Sequence, residues 1–244
     1  MQLVDRTLRT LEILGQHLDG LSVSELSEIL EIPASSTHRI LSSLKTNHFI
    51  LQDEETKKYR LGYKLFSISA GMNRNSTLVL SARPLMRELS AQIGRTVVLC
   101  IMEYDKVINV ACIEREDSGM YMVKIGREMP LYSTSAGRVF AAYMNRERAL
   151  ELLDHEVREP KTPYTKVSLD ELNRELDEVH SVGYGVIDEE LQMGIQGVAC
   201  PIFDLNGRVA AALAFTTRKE EPEELQRKLE QLKRCAGRIS EEIQ

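Results

Sequence analysis

At 244 residues, with 43% hydrophobic and 28% charged residues, the chain has the composition of a folded protein with room for two ordinary domains, which excludes disorder and collagen-like repeats. Its formal net charge of −6 argues, taken in bulk, against a nucleic-acid partner. No apolar run approaches the roughly 20 residues that span a bilayer, and the start MQLVDRTLRTL carries an acid and two arginines where a signal peptide needs an apolar core, so a cytoplasmic protein without a membrane partner is expected.

The charge is unevenly spread. Residues 1–75 hold nine Lys and Arg against nine Asp and Glu, so the whole deficit, 22 against 28, falls on 76–244. Within 35–64, six cations (Arg39, Lys45, Lys57, Lys58, Arg60, Lys64) face three acids. Such a local basic surface can hold phosphates on an acidic protein, because attraction is screened beyond about 8–10 Å at physiological salt. Cys100, Cys112, Cys200 and Cys235 lack C-x-x-C spacing and sit among apolar residues or on a helical pattern, so ordinary thiols are expected rather than disulfides or a metal site.

In chain order, Val4, Leu8, Leu11 and Leu14, with Ile13 beside them, recur at helical spacing, and Asp5 can cap the start. After a break at Gly20, Ser22 precedes Glu25 at capping-box spacing, and Val23, Leu26, Ile29 and Leu30 form the stripe of a short second helix. Pro33 cannot continue that helix but can open the next, ASSTHRILSSLKTNHFI. There Ile40, Leu41, Leu44 and Phe49 point one way and Ser35, Ser36, Thr37, His38, Arg39 and Ser43 the other. Two helices joined by a tight turn, the second with a short-polar outer face, describe a helix-turn-helix. Hydroxyls near a helix start can contact phosphates beside free amides, and Arg39 can reach a phosphate or a guanine edge. By itself that face also fits a solvated helix.

Residues 50–63, ILQDEETKKYRLGY, read as two alternating strands around a polar turn, with Tyr59 and Leu61 on one side and Lys58 and Arg60 on the other. A hairpin after a recognition-type helix forms a wing, setting Lys57, Lys58 and Arg60 against the DNA backbone or minor groove. The expected DNA-binding domain is 1–62. YKLFSISAGMNRN, over 63–75, predicts a helix with Leu65, Phe66, Ile68 and Ala70 as its stripe, either a linker or a fourth core helix.

Over 76–244, Ser76 is expected to cap a helix to about Ile93, kinked or restarted at Pro84. Strand patterns follow at TVVLCIMEY, KVINVACIE and MYMVKI, then two helices, then GVACPIF and RVAAALAF. YDK at 104–106 and DLNG at 204–207 signal hairpin turns, and a last helix from about Pro222 carries Leu225, Leu229 and Leu232. Antiparallel strands flanked by helices make an α+β domain.

Catalytic patterns lack their context. There is no G-x-S-x-G, H-E-x-x-H or P-loop, and Gly183-x-Gly185 lacks the rest of a dinucleotide fingerprint. Ser42-x-x-Lys45 spells S-x-x-K but lies on the presumed recognition helix, with no S-D-N or K-T-G after it. No catalytic residue, metal or cofactor is expected. LYSTSAGR instead sets hydroxyls and small residues before an amphipathic helix, whose free amides could hold a carboxylate. Asp188, Glu189 and Glu190 read as a solvated loop, with a ligand or metal role as the alternative.

The chain resembles the IclR family of bacterial transcriptional regulators. The resemblance rests on the opening helix, IPASSTHRILSSL, the wing ending in YRLG, ARPLMRELSAQIGRTVVLCI, GREMPLYSTSAGRVFAAYM, GYGVIDEELQMGIQGVACPIF and GRVAAALAF, in order along the whole chain. It implies a winged helix-turn-helix, a linker helix at 63–75 and a GAF-like effector-binding and oligomerisation domain at 76–244. It also implies pairing through the linker and the DNA-binding domains, as homodimers or dimers of dimers. By the same resemblance Ser135 and Ala136 contact the effector, with Ile187, Gly197, Ala214 and Thr216 at its other pocket positions. An acid at the Ile187 position and a serine at the Ala214 position occur in members that bind small keto acids, and both are apolar here. The expected effector therefore carries a carboxylate or other single polar end on a larger apolar or aromatic body. Ile187 and Ala214 can equally be core filling. The function expected is a ligand-responsive repressor on a palindromic operator. The alternative is a small-molecule sensor or enzyme whose N-terminal module makes protein contacts only.

Overall fold

The computed structural model describes residues 3–75, 77–115 and 123–244, the side chains of 70–75 excepted. The chain divides into two compact units, Met1–Asn75 and Ser76–Gln244.

The first unit contains α1 (Leu3–Gln16), α2 (Val23–Leu30), α3 (Ala34–Thr46), β1 (Ile50–Gln52), β2 (Tyr59–Leu61) and α4 (Tyr63–Asn75). Ser22 and Glu25 make the capping box in both directions, with the Glu25 amide donating to Ser22 Oγ at 3.3 Å and the Ser22 amide to the Glu25 carboxylate at 2.7 Å. That pair starts α2 and satisfies two amides a helix start cannot pair internally. Glu31, left-handed at φ 55°, ends α2, and Pro33 stands at the N-cap of α3 two residues later. This brief turn lets Leu26 and Leu30 pack on Ile40, Leu41 and Leu44, with Ile13, Leu14, Ile50 and Tyr59 completing the core. Leu21 adds a bridge to the hairpin, donating its amide to the Tyr59 carbonyl at 3.0 Å and accepting the Tyr59 amide at 2.7 Å. Gly20 permits this at φ 75°, since a Cβ there would stand 2.7 Å from Tyr59 O.

Two expectations for this unit change. Helix α1 begins at Leu3, so Asp5 lies within its first turn rather than at its cap, and Val4 and Leu8 are exposed while Thr10, Ile13 and Leu14 turn inward. Ile29 is likewise exposed. On α4, Phe66 is 71% and Ile68 53% exposed, which overturns the fourth-core-helix alternative for those residues. Ala70 lies outside the described side chains.

The second unit contains α5 (Thr77–Ile93), β3 (Val97–Glu103), β4 (Lys106–Ile113), β5 (Glu128–Met129), α6 (Ser135–Tyr143), α7 (Arg146–His155), α8 (Leu169–Val182), β6 (Gly185–Asp188), β7 (Ile195–Phe203), β8 (Val209–Arg218) and α9 (Pro222–Glu242). The strands form one antiparallel sheet in the order β5-β4-β3-β8-β7-β6. Alternate residues face opposite layers. Val97, Leu99, Leu213 and Phe215 pack under α5 and α9, whereas Val98, Cys100, Ala212 and Ala214 pack under α6, α7 and α8. Both faces being covered explains why β7 reads as an almost continuous apolar run.

Helix α5 runs through Pro84 as one element. The expected cap at Ser76 and residues 120–122 of the MYMVKI strand lie outside the described residues, while Val123 and Lys124 are not in a strand. The partner of β4 is instead the short β5. Three helices, not two, separate it from the last strands, and the four-residue β6 precedes β7. Both hairpin turns form, with Tyr104 and Asp105 at positive φ and Gly207 at φ 72°.

Candidate functional site

The outer face of α3 is built by the same spacing that buries its inner one. Thr37, Ile40, Leu41 and Leu44 are buried, leaving Ser35, His38, Arg39 and Ser43 exposed and Ser36 half-buried. Thr37 therefore corrects the expectation of an outward polar face: fully buried, it donates its hydroxyl to the Pro33 carbonyl at 3.4 Å. Its position one turn before Ile40 and Leu41 puts it in the apolar stripe despite its hydroxyl. No side chain caps α3, and while the Ser36 and Thr37 amides donate to the Pro33 carbonyl at 2.9 and 3.1 Å, those of Ala34 and Ser35 are donors a helix start cannot pair internally. Among the described residues Arg39 makes no ion pair.

The hairpin turn is held by Asp53, whose carboxylate accepts the amides of Glu55 and Thr56 and the Thr56 hydroxyl at 2.8–3.1 Å. Those bonds hold the Asp53 carboxyl below its ordinary pKa. Lys57, at φ 57°, and Arg60 are exposed. Lys58 is partly covered and stands 3.8 Å from the Glu25 carboxylate, so part of its charge is already paired. Lys45 donates to Gln52 at 2.9 Å, and Gln52 to the Lys57 carbonyl at 3.2 Å, tying α3 to the wing.

In the second unit a cavity of about 60 Å³ opens between the sheet and the start of α6, with Ser135, Ala136, Ile187, Ala214 and Thr216 in its walls. The expected Gly197 stands behind them, in register with Ile187 on β6 and Thr216 on β8. A Cβ on it would lie 2.9 Å from Ile187 Cγ1 and 3.4 Å from Ser135 Oγ, so its bareness lets both side chains sit where they do. Thr134 caps α6 by accepting the Gly137 amide at 3.0 Å, which leaves the amides of Ser135 and Ala136 as the donors a helix start cannot pair internally. Val98, Val123, Met129 and Leu191 supply further apolar wall. None of the described lining residues is charged.

Sequence reasoning missed Asn109, which lines the cavity. Strand alternation would set it on the same side as Ala111, but pairing slips between Leu99–Ala111 and Cys100–Asn109. That bulge turns the buried Asn109 toward the cavity face. Its Oδ1 accepts from Cys100 Sγ at 3.3 Å and its Nδ2 donates to the Lys124 carbonyl at 3.3 Å. Burial pushes the Cys100 thiol up to about 12, so it enters as a neutral weak donor, not a nucleophile. The available signal was one amide residue inside an otherwise apolar strand, KVINVAC.

The acidic run divides. Asp188 and Glu189 pair with Lys219 at 3.2 and 2.7 Å, and the Lys219 ammonium with the Gly194 amide holds Glu189 below its ordinary pKa. Glu190 corrects the solvated-loop expectation: it is 2% exposed and bound to the buried Arg138. Among the described residues no group of three or more His, Cys, Asp or Glu side chains could hold a metal, and no helix is long and apolar enough to cross a membrane.

A winged helix-turn-helix with an exposed cation on its recognition helix, followed by an α+β unit with a cavity whose described walls carry no charge, defines a DNA-binding protein with a separate compartment. The bacterial transcriptional regulator IclR C-terminal family matches residues 72–241 and the IclR helix-turn-helix domain family residues 3–54, and the chain belongs to the IclR family of bacterial transcriptional regulators. It is 32% identical over 235 residues to the HTH-type transcriptional regulator KdgR of Escherichia coli K12, spanning 96% of this chain and 89% of that one. The HTH-type transcriptional repressor AllR of the same strain is 26% identical, over 88% and 79% of the two chains. An IclR homologue of Microbacterium hydrocarbonoxydans, solved as a complex with 4-hydroxybenzoate, shares the fold with a TM-score of 0.88 at 20% identity over 99% of each chain. These relatives are regulators, not enzymes, and the enzyme alternative falls with them.

Proposed function

We propose that the protein is a repressor that binds a palindromic operator as a homodimer or dimer of dimers and changes its operator affinity when a small organic acid occupies the cavity at Ser135. The observation that carries the reading is the division of labour between the units: exposed cations on α3 and the wing of one, an uncharged cavity at a helix start in the other. Ser35, Ser36, His38, Arg39 and Ser43 would meet the major groove and its phosphates, with Lys57, Lys58 and Arg60 on the flanking backbone. Thr37 is no longer among them. In the cavity, the amides of Ser135 and Ala136 would take the acid's oxygens, and Asn109, Ser135 and Thr216 would discriminate its other polar group. A carboxylate held without a facing cation depends on such oriented donors.

The size of the cavity restricts the ligand. An engineered cavity of ~150 Å³ is what holds benzene. At about 60 Å³ the space suits an acid of few heavy atoms, and an aromatic body calls for Ile187 or Leu191 to withdraw. AllR, a repressor by name, and the neighbour bound to 4-hydroxybenzoate support repression and small-acid binding by analogy with this fold.

Selection of bound fragments from genomic DNA by the full-length chain tests the reading. A palindromic site should emerge, and Arg39→Ala should lose it while keeping the wild-type melting temperature. Removing Lys57 and Lys58 together should weaken binding across sequences and reduce the salt slope by about 0.9 for each phosphate no longer neutralised. A full-length chain that selects no site, or an Arg39→Ala chain that selects the same site equally well, would refute it.

A further inference from the structure

Two irregular walls of the cavity converge on one buried arginine. Arg138, in the first turn of α6 just past Ser135 and Ala136, has a side chain 1% exposed. Its Nε and Nη2 donate to the Tyr132 carbonyl at 2.9 and 2.7 Å, its Nη2 also meets the Glu190 carboxylate at 2.5 Å, and its Nη1 pairs with Glu175 on α8. Lys166, partly exposed, lies 2.8 Å from Glu175 and 3.6 Å from Glu190.

The segments joined in this way, 130–134 ahead of α6 and 189–194 between β6 and β7, have no helix or strand of their own. Thr134 at the end of the first and Leu191 within the second both line the cavity. Each segment carries a further side-chain tether. Glu156 accepts the Leu131 and Tyr132 amides at 2.8 and 3.1 Å, and Thr162 and Thr165 donate to the carbonyls of Glu189 and Glu190 at 2.7 and 2.5 Å. A buried ion cluster adds little net stability over apolar side chains of similar volume, whereas a planar guanidinium fixes the direction of every partner it holds.

We propose that Arg138 is the positioning residue of the cavity: by tying Tyr132 and Glu190 to one guanidinium it sets the gap between the start of α6 and Leu191, and with it the size of ligand admitted. The inference rests on reading this cavity as the effector site. Arg138 touches no ligand in this scheme and acts through Thr134, Ser135 and Leu191.

The test compares three full-length chains: wild type, Arg138→Met, and the triple variant Arg138→Met/Glu175→Met/Glu190→Met. The single variant leaves two buried carboxylates to share the partly exposed Lys166 and is expected to melt below wild type, so the triple variant, which removes them as well, carries the decision. Its melting temperature should return to near the wild-type value. Its amides over 131–137 and 189–195 should nonetheless exchange roughly tenfold or more faster than in wild type, with those of β3 and β8 unchanged. Acetate, propionate and benzoate are then added to each chain, with the melting temperature as the readout. Preference should move from the smaller acids in wild type toward benzoate in the triple variant. Wild-type exchange in both segments of the triple variant overturns the proposal, because apolar packing then holds the walls equally well. A uniform rise in exchange across the unit overturns it too, reducing Arg138 to general support of the fold. If no acid shifts the wild-type melting temperature, the effector reading fails for these probes, and the exchange pattern still decides the role of Arg138.

Discussion

Arg39 and Arg138 carry the same charge in opposite surroundings. Arg39 is exposed without an ion pair among the described residues, so its removal costs the fold little and its charge is free for phosphate or guanine. Arg138 is enclosed by two carboxylates and a carbonyl, and losing it alone is expected to destabilise the fold, because Lys166 is then the one cation left beside both carboxylates among the described residues. Thr37 offers a control between them. Because it is buried, Thr37→Val should leave operator affinity within about twofold, since the side chain it replaces does not reach DNA. A large loss on titrating the selected fragment would mean α3 meets DNA by another face. Acid sensitivity follows from Glu25 and Asp53, whose ordinary values are 4.5 and 3.8. The backbone and side-chain bonds of Ser22 depress the first and those of Thr56 the second. Being depressed in the fold, both contribute stability that is complete above those values and is lost as the pH falls through the lower folded ones. The α2 start and the wing should thus loosen on acidification, and Glu25→Gln, which no longer titrates, should remove the part due to Glu25. Hydrogen-exchange protection factors of residues 22–26 against pH measure this, and wild-type factors that stay constant on acidification would contradict it.

Helix α6 is closely surrounded, with all its residues from Ser135 to Ala142 buried. A Cβ at Gly137 would stand 2.6 Å from Leu131 Cα, and one at Gly185 2.7 Å from the Ser135 carbonyl. Both obstacles are backbone, so Gly137→Ala should cost about 1–3 kcal/mol by displacing α6 from segment 130–134, read as a lower melting temperature. Ile187→Val, by contrast, should cost about 0.5–1.5 kcal/mol while letting a bulkier acid shift the melting temperature more than it does in wild type. Much of this arrangement is legible in the residues. Ser22 with Glu25 marks a helix start, Ile40, Leu41 and Leu44 mark a buried stripe, and Val97 to Cys100 mark a strand buried on both faces. Local chemistry carries each of these signals. Thr37 misleads because its hydroxyl outweighs its place in the stripe. Asn109 escapes notice because a bulge changes the face of a strand without altering its composition. Arg138 and Glu190 are 52 positions apart, and nothing in the spacing of either announces a pairing that only the packing of α6 against the β6–β7 connection creates. The four residues of β6, which begin with glycine and end in an acid, are too few to display a period.

At the scale of the molecule, the net charge of −6 averages two surfaces with different partners. The first unit balances its charges and carries most of its exposed cations, Arg39, Lys45, Lys57 and Arg60, on α3 and the wing, with Arg9 on α1 and Lys64 on α4, whereas the second bears the whole deficit. A footprint of a few cations binds DNA weakly, so useful affinity calls for two or more copies on one site. The apolar side chains exposed on the first unit, Leu3, Val4 and Leu8 on α1 and Tyr63, Phe66 and Ile68 on α4, supply candidates for that pairing. Phe66→Ser with Ile68→Ser should lower the mass seen in sedimentation and weaken operator binding together, and a change in neither would remove α4 from the interface.

The most direct measurement of the central claim is the dissociation constant of the full-length protein for its selected fragment, taken with and without small carboxylic acids at fixed ionic strength. Coupling between a ligand and a DNA site is typically about 1–3 kcal/mol. At least one acid should therefore change the constant by roughly fivefold or more, with the chloride salt at equal strength changing nothing. Specific binding that no small acid alters would contradict the effector role of the cavity, and a failure to bind any fragment specifically would contradict the account as a whole.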